Sequence, residues 1–416
     1  MKKLCILILL FVLSLAFVGC SSDRRTVVKF SSWGSQTEVA ILKTLLSEFE
    51  KENPEIKVEF MHAPSGYFSK LHLYFAAGME PDVIFINNAS FQKYYEEGLL
   101  ENLNPYFTEE LSGKVFFDKT VENFTRNGET YAIPRDVSNI VIYYNKDLFK
   151  KYGIPFPDEN WELSDLYTIA KKLTADTNGD GKIDVWGINR SDKQVFWLPF
   201  VMANGGDILD SEGNLAVSNE KVINALQKYS DLVTKDKSAP PNSALSGKTY
   251  PQMFMLGELG MLAGGRWNMP QFSHIKDFDW DVINFPTGGK AFNPADSSGW
   301  AIAKRSKNKP EAIKLLKFLS SKNSAVEFTK SGLITPAVKE IAQSELFLNM
   351  PEHKNNKAFL YAAEQSQVQN TSRNMKEIED ILYSELEPAF NGRITVKEAL
   401  AEEKLSKKLC SFSKCN

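Results

Sequence analysis

The run Asp82-Val83-Ile84-Phe85-Ile86 is apolar at every position after its first, and a strand written that way has to be covered on both faces. That requirement belongs to parallel strands in a sheet flanked by helices. The preceding residues supply the matching pattern. Residues 27–33 are strand-like, Ser35-Gln36-Thr37-Glu38 has the capping-box spacing of a helix start, and Val39, Leu42, Leu46 and Phe49 follow at helical spacing. Glu50-Lys51-Glu52-Asn53-Pro54 stops that helix, and residues 56–60 alternate like a second strand. This is a β-α-β unit. Strands at 140–144 and 260–263 then alternate with helices at 164–173, 219–234 and 310–319, so the fold class is α/β throughout. Tandem repeats, low-complexity linkers and coiled-coil heptads are absent from the sequence, which fits compact lobes joined by several chain crossings better than separate beads.

Lys2 and Lys3 precede an apolar run over 4–18 that is too short and wrongly flanked to span a bilayer, so residues 1–19 read as a signal peptide. Phe17-Val18-Gly19-Cys20 resembles a bacterial lipobox, although Leu is more usual where Phe17 stands. Cys20 is therefore either an acylated first residue, with 20–24 as a polar tether to the membrane, or incidental to a plain secretory peptide. Cleavage before Cys20 removes 19 of the 416 residues and leaves 397, and the loss of Lys2 and Lys3 takes the formal charge from −3 to −5. That length suggests two or three domain-sized units. A mildly acidic chain without a basic stripe argues against nucleic acid as a partner. Beyond Cys5 and Cys20 only Cys410 and Cys415 remain, in a tail over 406–416 that either closes a small disulfide or stays reduced. The core is expected to fold without covalent staples.

Catalytic signatures are sparse. His62, His72, His274 and His353 are scattered without HExxH spacing or a cysteine partner, and no GxSxG elbow occurs. Ser246-Gly247-Lys248-Thr249 resembles the end of a P-loop, but its first glycine would fall at Asn242, and Pro240 and Pro241 stand where a strand should lead in. Asp176-Thr177-Asn178-Gly179-Asp180-Gly181-Lys182-Ile183-Asp184 is a sharper motif. It matches the first nine positions of an EF-hand-like calcium loop, with oxygen ligands from Asp176, Asn178, Asp180 and Asp184 and a backbone carbonyl from Lys182. Gly187 stands where the bidentate Glu belongs, so the choice lies between structural calcium and a metal-free Asx turn.

From Val27 to about Leu400 the chain resembles the family 1 extracellular solute-binding proteins, the maltose-binding-protein type. The blocks that carry the resemblance are Pro81-Asp82-Val83, Tyr131-Ala132-Ile133-Pro134, Tyr143 to Phe149, Gly264-Gly265-Arg266-Trp267, Phe285-Pro286, Ser298 to Ala303, Gly332 to Pro336 and Phe390-Asn391-Gly392. Each is weak alone, and their order over nearly the whole mature chain is specific. The resemblance implies a two-lobed, hinged periplasmic-binding-protein fold of type II that encloses a ligand on closing. Crossings near Pro134, Asn284 and Pro336 assign 25–134 and 285–337 to one lobe and 135–284 and 338–405 to the other. It further implies a monomeric, extracytoplasmic sugar- or oligosaccharide-binding component of an ABC importer, which docks on permease subunits with their ATPase and requires no cofactor of its own. A glycoside hydrolase that hides its two carboxylates, and a surface lipoprotein used for adhesion or sensing, are the alternative classes.

A sugar presents C–H faces and hydroxyl edges, so its site needs flat aromatic rings with convergent carboxylates, amides and guanidiniums. Trp267 stands where the family commonly stacks an aromatic ring on ligand, and Trp33 lies where the first strand meets the first helix. Trp197 is expected to line the cleft, whereas Trp300 either faces it or packs beneath it; Trp161, Trp186 and Trp280 are read as packing residues. Polar candidates are Gln36, Asn88, Arg135, Asp136, Asn204, Arg266 and Ser298. Arg135 and Asp136 either bond ligand hydroxyls or pair with each other. Asp82 either fixes a turn or lies near the cleft, and Tyr67 either contacts ligand or belongs to the core.

Overall fold

The computed structural model describes residues 25–107, 109, 114–286, 294–350 and 355–412. The signal peptide, Cys20, the tether and Cys415 lie outside the described residues, and no helix among these is long and apolar enough to cross a membrane.

Among the described residues, twelve strands form two main sheets and a small hairpin. They are β1 (Thr26–Ser32), β2 (Ile56–His62), β3 (Val83–Asn87), β4 (Thr125–Arg126), β5 (Glu129–Thr130), β6 (Ala132–Val137), β7 (Val141–Asn145), β8 (Trp186–Ile188), β9 (Leu259–Gly264), β10 (Trp280–Asn284), β11 (Ser297–Ile302) and β12 (Thr335–Pro336). The larger sheet runs β12-β6-β11-β3-β1-β2, and the smaller runs β10-β7-β9-β8. The opening β-α-β unit is built as its pattern requires: β1 pairs in parallel with β2 from Thr26↔Ile56 to Ser32↔His62, and β3 joins the other side of β1. Between them the Gln36–Glu52 helix starts on Ser35, whose hydroxyl accepts from Glu38 N–H. Its Leu42, Leu45, Leu46 and Phe49 pack on Val28, Phe30, the apolar residues of β3 and Trp300 in one core.

The smaller sheet shows the period of two that a strand imposes. Ile142 and Tyr144 of β7 enter a core with Leu166, Trp197, Leu226 and Leu386. Val141 and Tyr143 enter another with Phe254, Phe272 and Phe359. The fold is thus α/β with two lobes, one around each sheet.

The crossings depart from expectation in two places. Strand β6 stays in the larger sheet through Val137, so the first crossing is the short segment 138–140 and not Pro134. Ala337, Val338 and Ile341 still pack in the core of the larger sheet, while Phe347 belongs to the other lobe, which moves the third crossing from Pro336 to about 342–347. Phe117, Val137, Ala342 and Ala363 form a small apolar cluster between these passages. The second crossing joins β10, ending at Asn284, to β11, starting at Ser297.

Candidate functional site

Strand register shows which ends of the sheets meet the crossings. Asn87 at the carboxyl end of β3 is level with Ser298, and Ser298 is level with Asp136, two residues before the first crossing. In the smaller sheet Gly264 at the carboxyl end of β9 is level with Val141, the residue that follows the crossing. Both sheets therefore present carboxyl ends of strands to the crevice between the lobes, where open α/β sheets hold ligands.

Two of the seven tryptophans are exposed, and both stand at these ends. Trp33 follows β1 and keeps 46% of its surface, with its ring 5.8 Å from Phe85. Trp267 follows β9 and keeps 38%. A Cβ on Gly265 would lie 2.0 Å from the Trp267 ring, so only glycine lets that ring fold back over its own chain. The Tyr143 hydroxyl holds the same turn by donating to the Gly265 carbonyl at 2.8 Å. Arg266 is a correction to the expected ligand contacts. It is buried between the faces of Phe347 and Phe359, at 4.2 and 4.9 Å, and donates to Asn356 Oδ1. Burial pushes its guanidinium down to about 9, with Tyr143 opposing that shift, and the side chain is spent inside its lobe.

Arg135 and Asp136 pair with each other. Arg135 Nε and Nη2 donate to Asp136 Oδ2 at 2.9 and 2.6 Å, while Nη1 bonds the Glu38 carboxylate. The guanidinium also faces the rings of Phe85, Trp300 and Phe328 at 5.2–5.4 Å. Burial alone would lower its pKa, but the charges of Glu38 and Asp136 outweigh that and hold it above its ordinary value. Ser298 completes the network by donating its N–H and hydroxyl to Asp136 at 3.0 and 2.7 Å. Neighbouring residues of a regular strand point to opposite faces. Here the register of β6 on β11 slips between Ser298 and Gly299, so Arg135 is the extra residue of a bulge and turns to meet Asp136. These three side chains form a buried floor at the crevice end of the sheet, and Phe85 links it to Trp33, its ring lying 5.3 Å from the Arg135 guanidinium and 5.8 Å from the indole.

Burial or position places five other candidates away from ligand contact. Trp197 and Trp300 are 1% and 0% exposed and belong to the two lobe cores, because the strand and helix carrying them face inward at those positions. Tyr67 is likewise buried, its hydroxyl 3.0 Å from the carbonyls of Ser31 and Phe85 and accepting from Phe85 N–H at 3.1 Å, which ties β1 to β3. Asp82 sits at the amino end of β3, about 17 Å from Asn87 at a strand rise of about 3.3 Å per residue. There it accepts from Lys29 N–H, Ser306 and Asn308, so it fixes the turn. Asn204 caps the far end of the Gln194–Ala203 helix by donating to Phe200 O, about 15 Å from the crevice end at about 1.5 Å per residue. Of the remaining candidates, Gln36 is exposed at the helix start beside Trp33, and Asn88 accepts from Ser297 N–H at the crevice. Trp161 and Trp280 are buried as expected, and Trp186 is partly buried.

The crevice also contains residues that the sequence reading passed over. A cavity of about 60 Å³ between the lobes is lined by Asn88, Ser138, Gln194, Asp296, Gln369 and Glu379 among others. Asp296 lies on the second crossing and Glu379 on the Met375–Phe390 helix. Burial raises Asp296 to about 7, and the negative charges of Asp136 and Glu379 add to the shift. Burial likewise raises Glu379 to about 7, with Lys376 opposing and Asp380 adding. Gln194 was findable, since it starts the helix on which Trp197 was singled out. Nothing in the spacing around Glu379 distinguishes it from the other acids of its helix.

The 176–184 loop lies away from the crevice and is exposed. Asp184 accepts from Thr177 N–H, the Thr177 hydroxyl and Asn178 N–H, Asp176 accepts from Gly179 and Gly181 N–H, and Asp180 accepts from Lys182 N–H. The donor set is all hard oxygen, the chemistry calcium takes. In this conformation no group of three or more His, Cys, Asp and Glu side chains among the described residues is placed to hold a metal. Lys248 of the P-loop-like stretch is paired with Glu258.

Residues 33–325 match the sequence model of the family described as bacterial extracellular solute-binding protein. A galactooligosaccharide-binding protein of Bacillus subtilis is 24% identical, over 96% of this chain and 95% of its own length. The maltodextrin-binding protein of the same organism is 24% identical over 76% and 74%. Among solved structures, an ABC substrate-binding protein of Listeria monocytogenes in complex with cycloalternan superposes with a TM-score of 0.83 at 28% identity, covering 92% of this chain and 99% of that one. Maltose-bound MalE3 of T. maritima superposes with a TM-score of 0.78 at 23% identity, covering 93% and 100%.

Proposed function

The chain belongs to the bacterial extracellular solute-binding protein family, and on that premise we propose that it is the substrate-binding component of a bacterial ABC importer, capturing a sugar or oligosaccharide between its lobes. The observation that carries this reading is the pair of exposed tryptophans, one on each lobe, at the strand ends that border the crevice. Indole faces stack on the C–H faces of sugar rings, and one ring from each lobe makes closure depend on ligand. The sugars named for the relatives support the same class. Capture then proceeds by hinge bending at the crossings, because a ligand that touches both lobes stabilises the closed form by its differential affinity. The closed form docks on permease subunits, whose ATPase drives release. The protein works as an extracytoplasmic monomer, anchored by Cys20 when the lipobox is used, and a structural calcium in the 176–184 loop is supported by its oxygen donors.

Catalysis is not part of the proposal. A glycosidase needs one carboxyl protonated and its partner ionised, a division produced by unlike surroundings. The family that residues 33–325 match is one of solute-binding proteins, and Asp296 and Glu379 are given no such role here. The test is mass spectrometry of solute released on denaturing freshly purified protein, followed by titration calorimetry with that solute. A carbohydrate bound one to one and recovered intact after hours supports capture. Turnover, or a non-carbohydrate solute, overturns it.

A further inference from the structure

The cavity between the lobes carries two carboxylates and no compensating cation: Asp296 and Glu379 line it, and no Lys, Arg or His does so among the described residues. The nearest charges do not neutralise the pair. Asp136 adds negative charge near Asp296 and is already bound to Arg135, whose other partner is Glu38. On the helix of Glu379, Lys376 is paired with Asp380 and Glu377 faces Lys93 across the lobe boundary at 3.8 Å. The unpartnered buried side-chain atoms at this place are acceptors too. Gln194 Oε1 belongs to the cavity lining, and Asn139 Oδ1, on a residue 4% exposed, lies beside it; the Asn139 amide nitrogen is spent on Pro294 O. A hollow edged by carboxylates and free acceptors asks its occupant for donors.

Resting on the sugar-capture reading, we propose that Asp296 and Glu379 are specificity-determining residues that form a charge filter. The crevice admits solutes that offer hydroxyl or ammonium donors to this pair and refuses solutes that carry a carboxylate there. Hydroxyl groups donate to ionised carboxylates with strong, short hydrogen bonds, and an ammonium group cancels charge as well. A ligand carboxylate brings a third negative charge into a poorly solvated space, where like charges a few ångströms apart repel by enough to cost at least about tenfold in affinity. The filter is strongest where both acids are ionised. Since both are raised to about 7, it is in force near pH 8 and relaxes near pH 6, as each takes up a proton.

The experiment is a thermal-shift and calorimetric screen of the full mature protein against α- and β-linked gluco-, galacto- and manno-oligosaccharides. Each neutral binder is then compared with its amino and uronate counterparts at about pH 8 and about pH 6. The expected result is that the uronate binds at least about tenfold more weakly than the neutral parent at the higher pH, with the gap narrowing at the lower. Asp296→Asn with Glu379→Gln should close the gap between the uronate and the neutral parent at the higher pH, the parent itself losing part of its affinity with the charged acceptors, while circular dichroism and the melting temperature report an intact fold. The single variants, each removing one charge, give the same comparison if the double variant does not fold. A uronate that binds wild type as tightly as its neutral parent overturns the filter and leaves sugar capture standing. Refusal that persists without the two charges also overturns the filter. A screen in which no oligosaccharide binds overturns both readings.

Discussion

Replacing Arg135 by Met tests whether the floor of the crevice is held by its buried charge network. Arg135, Glu38 and Asp136 are each 9% exposed or less, and the guanidinium is the cation both acids bond. Methionine fills much of the apolar stem's space against Phe85, Trp300 and Phe328 but leaves two buried carboxylates uncompensated, which costs about 3–5 kcal/mol. At about 2–4 °C per kcal/mol for a lobe of this size, the melting temperature falls by roughly 10 °C. Calorimetric scans of wild type and variant at neutral pH provide the assay, and adding Glu38→Gln and Asp136→Asn should recover part of the loss. A fall in melting temperature below about 2 °C would refute the network as described.

Trp267→Ala and Trp33→Ala should each weaken sugar binding by about 1–3 kcal/mol in titration calorimetry, and unchanged affinity in either would remove that ring from the site. Trp300→Ala should act on stability, costing about 3–5 kcal/mol, because its ring is fully enclosed by Phe30, Phe85 and their neighbours. A variant with normal melting and lost affinity would return Trp300 to the crevice. Chelation should lower the melting temperature and added calcium should release heat if the 176–184 loop holds the ion; neither response means a metal-free turn.

The parts of the fold legible in the sequence were those governed by local pattern. The period of the Gln36–Glu52 helix, its serine cap and the unbroken apolar run of β3 place those elements to within a residue or so of their observed ends. The site was harder, because one residue type serves two ends. Trp267 and Trp300 both follow glycines near strand ends, and only the pairing of β11 between β3 and β6 encloses one and frees the other. The Arg135–Asp136 pair was open for a related reason: adjacent strand residues diverge unless a bulge intervenes, and no local signal announces the bulge. Gly299 is its partner in the fold, since a Cβ there would lie 2.2 Å from the Ile133 carbonyl. Glu379 and Asp296 come together from crossings and a late helix, a proximity that sequence spacing does not encode.

The central place of β11 in the larger sheet bears on how the chain acquires its structure. Residues 26–87 supply three strands of that sheet, but β6 cannot be joined to them until 297–302 arrive and pair on both sides. Through most of synthesis one edge of β3 has no strand beside it. Such long-range closure folds slowly and leaves edges able to pair wrongly. A chain that stays unfolded until its final third has emerged avoids that hazard, which suits a member of an extracellular family.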